Sequence, residues 1–201
     1  TFYNVDVREH GSHNAGATNT FRVLGKKPGA FVLLFDVLKG LIATLPPLLL
    51  LNFNEIHSIT ALDPYRISVG FASVIGHLFP VFAGFKGGKG AATACGMLFG
   101  IEPISIGISF TLFGLIVWST RYVSLASIIA TGIYPITLLI MRFVLEWYVD
   151  GSIILFAAII AFGIIYKHKA NIGRLMAGTE SKVGAKAATL AKTEASTAKV
   201  N

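Results

Sequence analysis

Two segments of the chain combine the residue types that bind phosphate groups. Residues 11–22 read GSHNAGATNTFR, in which small residues and neutral hydrogen-bond donors precede Arg22. Residues 84–93 read GFKGGKGAAT, in which Lys86 and Lys89 lie among glycines directly before an apolar stretch. Glycines let the backbone approach a ligand closely, while helix N-termini, ammonium groups and guanidinium groups attract anions. Both segments are therefore candidate phosphate-binding loops.

Each loop also has a simpler structural explanation. A polar turn between two helices accounts for residues 11–22 about as well as a binding site does. A flexible loop accounts for the lysines of residues 84–93 but not for its closely spaced glycines, so we favour a phosphate site there. The Gly-x-x-x-x-Gly-Lys-Ser/Thr spacing of a nucleotide P-loop and the Gly-x-Gly-x-x-Gly fingerprint are both absent from the chain, which argues against a nucleotide-binding loop.

Other polar residues lie in or beside apolar stretches. The sequence YKHKANIGR places His168 and Asn171 three positions apart, so the two share a face if this segment is helical. Asp36 and Lys39 have the same spacing inside an apolar stretch, where we favour a mutually neutralising pair that helps helices to pack. His77 is interpreted as a hydrogen-bonded structural residue.

The composition points to a membrane protein. Of the 201 residues, 54% are hydrophobic and 13% are charged, and the mean hydropathy is +0.69. Because a soluble domain carries about a quarter charged residues, these values exclude a disordered chain and disfavour a soluble enzyme. The net charge of +7 lies in short connections between apolar stretches, as in cytoplasmic loops, and not on one folded basic face as in a nucleic-acid binder. The single cysteine, Cys95, excludes an internal disulfide and any multi-cysteine metal site.

Five apolar stretches are candidates for membrane-spanning helices, which need about 20 residues each. They cover residues 30–51, 67–83, 91–118, 122–141 and 148–166. The third is too long for one span and is interrupted by Glu102 and Pro103.

The basic residues indicate how the third stretch crosses the membrane. If it forms two short spans that meet at Glu102, only Arg66 and Arg142 face one side, and the other side receives Arg22, Lys26, Lys27, Lys86, Lys89, Arg121, Lys167, Lys169 and Arg174. The positive-inside rule favours this arrangement. We therefore predict an all-α, polytopic integral membrane helix bundle with six spans and with the basic loops in the cytoplasm. The part that covers residues 91–101 is short, so it begins earlier, near Gly87, or is a partial helix.

Several stretches match the motifs of one enzyme family in the order in which they occur along the chain. The family motif Ser-Gly-Asn-x-Gly-Ala-x-Asn is matched by SHNAGATN, and Lys-Gly-x-x-Pro is matched by KGLIA. Gly-His-x-x-Pro-x-Phe and Phe-Lys-Gly-Gly-Lys-Gly are matched by GHLFPVF and FKGGKG, and RYVSLAS and His-x-x-Asn match two further stretches. From about residue 4 to residue 178, the chain thus resembles the bacterial membrane glycerol-3-phosphate acyltransferases that use acyl phosphate as donor.

This resemblance implies an activity and a set of site residues. The enzyme transfers a fatty acyl group from acyl phosphate to the 1-hydroxyl of sn-glycerol 3-phosphate, giving lysophosphatidic acid and phosphate in the first step of phospholipid synthesis. Six residues are implied to hold glycerol 3-phosphate. Five of them are the candidate catalytic residues Ser12, Arg22, Lys89, His168 and Asn171, and the sixth, Ser127, is a candidate substrate-binding residue. The other candidate substrate-binding residues, which include the turn and the glycine pair expected to hold acyl phosphate, are Asn14, Gly16, Thr18, Asn19, Lys86, Gly87, Gly88 and Gly90.

The resemblance also implies partners and a location. The enzyme works in the bacterial cytoplasmic (inner) membrane with its site facing the cytoplasm, in contact with membrane lipid and with an enzyme that forms acyl phosphate. No cofactor, metal ion or nucleic acid is expected. Residues 1–178 form the membrane acyltransferase domain, and residues 179–201, rich in Ala, Lys and Thr, are expected to be a disordered cytoplasmic tail.

The chain departs from the family pattern at three points. His13 stands where the family has Gly, which strains the loop if that position needs a positive φ, and Ala43 stands where the family has Pro. The family has seven spans, of which the first, preceding Ser12, is missing from the six predicted here.

Two other functions are possible for a membrane protein with phosphate-binding loops. Glycerolipid acyltransferases of another class use a His-x-x-x-x-Asp pair, which none of the five histidines forms. A transporter or channel for a phosphorylated solute is the remaining alternative, but it needs polar residues that continue through several spans, whereas here they cluster at the span ends.

Overall fold

The computed structural model describes residues 3, 5–48 and 62–183, and this part of the chain consists of helices and turns without a β-strand. Its eight α-helices are α1 (Ala17–Val23), α2 (Lys26–Ala43), α3 (Asp63–Leu78), α4 (Ala91–Ile101), α5 (Pro103–Thr120), α6 (Val123–Phe143), α7 (Gly151–Lys167) and α8 (Lys169–Met176). The predicted all-α class is confirmed.

Among the described residues, the helices that are long and apolar enough to cross a membrane are fewer than the six predicted spans. Four meet both criteria: α5, α6, and the extended helices around α2 and α3, Lys26–Leu48 and Asp63–Ala83. Helices α7 and α8 form a fifth candidate, bent by 57° between them. The remaining predicted span corresponds to α4, whose 11 residues extend over about 16 Å, roughly half the hydrocarbon thickness. Helix α4 is therefore a partial helix, one of the two possibilities that its length allowed.

The ends of the spans follow local chemistry. Glu102 separates α4 from α5 because the residue before Pro103 is disfavoured in helical conformation, and Pro103 opens α5. Asp150, which falls within the predicted span 148–166, instead precedes α7 as its N-cap, and its carboxylate accepts a hydrogen bond from the Ser152 N–H at 2.7 Å. Helix α2 begins at Lys26, earlier than predicted. The last residues of the first predicted span, 49–51, lie outside the described residues.

Helix α4 is packed inside the bundle against α2 by glycines. A Cβ added at Gly40 of α2 would overlap the carbonyl oxygen of Thr93, and one added at Gly96 of α4 would overlap the carbonyl oxygen of Val37. Small residues allow this close backbone approach between membrane helices. The fully buried side chains of Met97, Leu138 and Ile153 then join α4 to α6 and α7 in one apolar core.

The two ends of the bundle differ in charge as predicted. At one end, the buried Arg66 guanidinium donates to the carbonyl oxygens of Thr44, at 3.4 Å, and Gly100, and pairs with Asp63 at 3.4 Å. Helices α3 and α4 run between this end and the glycine-rich loop that connects them. The loop and its two lysines therefore lie at the opposite end from Arg66.

Candidate active site

Three segments that are distant in sequence meet at the loop end of the bundle. The Asn14 side-chain amide donates to the Gly87 carbonyl oxygen at 3.4 Å, which joins the two predicted phosphate loops. Lys89 Nζ donates to Asn171 Oδ1, which joins the second loop to α8. These two hydrogen bonds bring the two candidate phosphate loops and α8 together.

Asn19 shapes the first loop. Its side chain is 1% exposed, and Nδ2 donates to the carbonyl oxygens of Val7, at 2.6 Å, and His10, at 3.0 Å. Its Oδ1 accepts the Ser12 N–H at 2.8 Å. Because both amide hydrogens and one acceptor position are engaged with the backbone, Asn19 fixes the path of residues 7–12 and the position of Ser12.

The turn after Ser12 contains a residue in a strained conformation. His13 has φ +55°, in the left-handed region that favours glycine, and its side chain is exposed. The position thus has the positive φ under which His in place of Gly is expected to strain the loop. Asn14 continues the turn, since its Oδ1 accepts the Gly16 N–H at 2.9 Å where α1 begins; Thr18 is half-buried in the first turn of that helix.

The glycine-rich loop uses part of its backbone for its own structure. The N–H groups of Gly87 and Gly88 donate to the carbonyl oxygens of Leu78 and His77, each at 3.3 Å. An anion site built on these two N–H groups, as the sequence suggested, is therefore not available in this conformation. The N–H groups next in line belong to the first turn of α4, whose N-cap is Gly90.

The two lysines of this loop have different environments. Lys86 is exposed, next to the exposed Phe85. Lys89 is partly buried, and burial, together with the positive charge of Arg174, lowers the pKa of its ammonium group to about 8, although Glu180 opposes the shift. Lys89 is thus a desolvated cation that an incoming anion would stabilise.

Glu180, which the sequence analysis did not single out, lies at the centre of the site. Its carboxylate is 1% exposed and accepts hydrogen bonds from Asn171 Nδ2 at 2.8 Å, Arg174 Nε at 2.6 Å and Ser124 Oγ at 3.0 Å. Arg22 Nη2 approaches the same carboxylate at 3.5 Å. Burial alone raises the pKa of Glu180, but these hydrogen bonds outweigh it and hold the pKa below the ordinary value.

The packed part of the chain accordingly extends past the predicted domain end at residue 178. Gly178 has φ +67°, which lets the chain turn back after α8, and the N–H groups of Thr179 and Glu180 donate to the Arg174 carbonyl oxygen. The Val183 N–H then donates to the Arg121 carbonyl oxygen at 2.7 Å. Residues 184–201 of the expected tail lie outside the described residues.

His168 is buried at the bend between α7 and α8. Its Nδ1 lies 2.8 Å from the Ile164 carbonyl oxygen, and because a carbonyl only accepts, Nδ1 carries the proton. In the neutral ring, Nε2 is then a hydrogen-bond acceptor. Ser127 is buried in α6, about one turn beyond Ser124.

This end of the bundle therefore offers cationic groups, amide and hydroxyl donors and one compensating carboxylate. Such a set binds a phosphate monoester and stabilises charge that develops in a reaction. Within the described ranges, no group of three or more His, Cys, Asp or Glu side chains is placed to hold a metal ion.

Comparison with known proteins identifies the family. The family model described as "Glycerol-3-phosphate acyltransferase" matches residues 1–178. Proteins named glycerol-3-phosphate acyltransferase from Chlorobium luteolum and Chlorobaculum tepidum are each 42% identical to this chain, over 200 and 197 residues, and each alignment covers 89% of this chain and 85% of the relative.

Solved structures agree with the sequence comparison. The crystal structure of PlsY (YgiH), an integral membrane glycerol 3-phosphate acyltransferase, in its glycerol 3-phosphate form matches with a TM-score of 0.75 and 41% identity, covering 91% of this chain and 84% of that one. Its lysophosphatidic acid form matches with a TM-score of 0.66 and 43% identity, covering 87% and 82% of the two chains. The helix bundle and the loop motifs described above therefore belong to a member of the glycerol-3-phosphate acyltransferase family.

Proposed function

We propose that the protein transfers a fatty acyl group from acyl phosphate to the 1-hydroxyl of sn-glycerol 3-phosphate, releasing lysophosphatidic acid and phosphate. The observation that carries this proposal is the convergence of Arg22, Lys89 and Asn171 at one end of a membrane bundle of this family. These groups suit the phosphate of glycerol 3-phosphate. The family assignment favours this activity over a transporter for a phosphorylated solute.

The site residues divide between the two substrates. Ser12, Ser127 and His168 are assigned, together with the cationic groups, to glycerol 3-phosphate. The acyl phosphate is assigned to the two loops, through Asn14, Gly16, Thr18, Lys86, Gly87, Gly88 and Gly90, while the buried Asn19 holds the first loop in place. Because the N–H groups of the glycine pair are engaged in the loop, this pair acts by allowing close approach and not by donating.

The reaction needs no covalent enzyme intermediate, since acyl phosphate is already an activated mixed anhydride. The hydroxyl oxygen forms a bond to the acyl carbon, and the bond from that carbon to the phosphate oxygen breaks, with its electron pair leaving on phosphate. The neutral Nε2 of His168 is suited to accept a hydrogen bond from the attacking hydroxyl. Positioning and charge stabilisation then account for much of the catalysis.

Purified protein supplied with acyl phosphate and glycerol 3-phosphate tests this assignment. Mass spectrometry is expected to detect lysophosphatidic acid, with one phosphate released per product. Acyl-CoA in place of acyl phosphate is expected to give no product, because the His-x-x-x-x-Asp pair is absent from the chain. Equal turnover with acyl-CoA would contradict the proposed donor, and absence of product from acyl phosphate would contradict the function.

We also propose that the protein lies in the bacterial cytoplasmic membrane with this site facing the cytoplasm, where phospholipid synthesis begins. Single cysteines at positions 86 and 169, in a variant without Cys95, test the orientation. We expect an impermeant thiol reagent to label neither position in intact cells and both positions in inverted vesicles. Labelling of either one from outside contradicts the orientation.

A further inference from the structure

A second polar cluster lies between α2 and α3, behind the glycine-rich loop. Lys39 Nζ lies 2.6 Å from Asp36 Oδ1 and 2.6 Å from His77 Nδ1. His77 Nδ1 is also 3.2 Å from Asp36 Oδ1. Asp36, Lys39 and His77 thus form one three-membered cluster, which the site described above does not use.

This cluster lines a cavity of about 250 Å³ that the backbone of Gly87 and Gly88 closes on one side. The volume corresponds to about eight waters, enough for a phosphoryl group with some solvent. The Lys39 side chain is 40% exposed, whereas that of Asp36 is 11% exposed. Asp36 also lines the cavity, but because its side chain is the less exposed of the two, the Lys39 ammonium group is the more accessible charge.

The Lys39 ammonium group determines which atoms donate and which accept hydrogen bonds within the cluster. An ammonium group only donates, so Lys39 donates to Asp36 Oδ1 and to an unprotonated Nδ1 of His77. The proton of the neutral imidazole is then on Nε2. A Cβ added at Gly88 would overlap this Nε2, so the imidazole N–H lies directly against the glycine-rich loop. The cavity wall thus carries one ammonium group and one imidazole N–H donor.

We propose that this cavity binds the phosphoryl group of the acyl phosphate, with Lys39 and His77 as its ligands and Asp36 as a positioning residue. The proposal rests on the proposed function. The reaction joins two substrates that each carry a phosphate, and like charges at close range need separate compensation. Gly88 contacts His77 while the next residue, Lys89, contacts Asn171.

Two lysine side chains therefore flank one short stretch of loop, since consecutive Cα atoms are about 3.8 Å apart. Each ammonium group binds one phosphate, and the acyl carbon meets the attacking hydroxyl between them. When the bond from the acyl carbon to the phosphate oxygen breaks, the electron pair leaves on the phosphate, whose added charge Lys39 stabilises. The hydroxyl O–H bond breaks, and its proton is transferred to the released phosphate, which departs as hydrogen phosphate.

Steady-state kinetics with each substrate varied separately test this inference on the full chain. Lys39→Met is expected to raise the KM for acyl phosphate about tenfold or more, as expected for one lost charge-assisted hydrogen bond, and to leave the KM for glycerol 3-phosphate within about twofold. Inhibition by inorganic phosphate, competitive with acyl phosphate, is expected to weaken by a similar factor. Lys27→Met, at an exposed lysine of the same helix, is the matched control and is expected to leave both constants unchanged.

Two further variants guard against a change in folding. Asp36→Asn combined with Lys39→Met removes both charges, so no unpaired charge remains, and the same selective rise is expected. His77→Gln keeps a side-chain donor and is expected to be less affected than His77→Leu. Unchanged constants for both substrates, or equal rises in the two, overturn the inference. If wild-type protein makes no product from acyl phosphate, the proposed function fails and the inference fails with it.

Discussion

Replacement of Lys89 by alanine is the most direct test of the glycerol 3-phosphate site. Its ammonium group donates to Asn171, and it lies beside the N-terminus of α4, where the helix dipole also favours an anion. Lys86 belongs to the same loop but is exposed. Net charge does not distinguish the two lysines, whereas burial and contact do. We expect Lys89→Ala to remove most of the activity and Lys86→Ala to retain a substantial part.

The magnitude follows from the interaction that is lost. A charge-assisted hydrogen bond contributes about 1.5–3 kcal/mol. If Lys89 acts in the transition state, its removal lowers kcat/KM for glycerol 3-phosphate roughly ten- to hundredfold. The partial burial of Lys89 favours the upper part of this range, because a desolvated charge interacts more strongly with an anion than an exposed charge does.

The pH dependence supplies an independent signature. With a pKa of about 8, Lys89 is cationic below this pH and becomes neutral above it, so anion binding weakens as the pH rises. We expect kcat/KM to fall by about tenfold per pH unit above about 8, far below the range in which an ordinary lysine titrates. Lys89→Arg stays charged throughout, so its profile loses this fall. Its activity is nevertheless low, because a planar guanidinium does not replace a compact ammonium in a crowded loop.

The assay is phosphate release by purified, folded variants across a range of pH, with glycerol 3-phosphate varied at saturating acyl phosphate. Lys27→Ala, at an exposed lysine outside the site, controls for the general effect of charge removal. Near-wild-type kcat/KM for Lys89→Ala refutes the reasoning. So does a fall above pH 8 that persists in Lys89→Arg, since another group would then be titrating.

Three further outcomes are expected from the packing and electrostatics. Glu180→Gln loses the charge that pairs with Arg174 and is expected to lower activity at least tenfold. Because the folded state depresses the pKa of Glu180, the ionised carboxylate stabilises the fold fully above the ordinary pKa of glutamate, and this stabilisation is lost as the pH falls through the lower folded pKa. The stability of Glu180→Gln is therefore expected to depend less on pH in the acid range than the stability of the wild type. His13→Gly relieves a left-handed φ and is expected to raise the free energy of unfolding by about 1 kcal/mol, seen as a higher thermal unfolding midpoint in detergent. His13→Ala is expected to give no such gain. Gly40→Ala places a methyl group against the Thr93 carbonyl and is expected to destabilise the fold by about 1–3 kcal/mol; an unchanged midpoint contradicts the tight contact between α2 and α4.

The sequence alone determined those features that depend on local composition. Spanning helices need long apolar runs, so the candidate spans were visible directly, and the conformational limit that Pro103 imposes on Glu102 located the break between α4 and α5. The positive-inside rule predicted the basic loops at one end, because Lys and Arg are in excess in the cytoplasmic loops of membrane proteins. The spacing of residues in the loops pointed to phosphate chemistry and to the family.

Only the tertiary structure decided which side chains meet. Asp36 and His77 are 41 positions apart in the sequence, and no local pattern predicts that they contact each other. The packing of α2 against α3 brings them together. Glu180 lies in a segment with almost no bulky apolar residues, yet its carboxylate is buried because the turn at Gly178 directs it towards Asn171 and Arg174. Hydrogen bonds depend on distances of a few ångströms across segments far apart in the chain, and residue spacing fixes such distances only within one helix or turn.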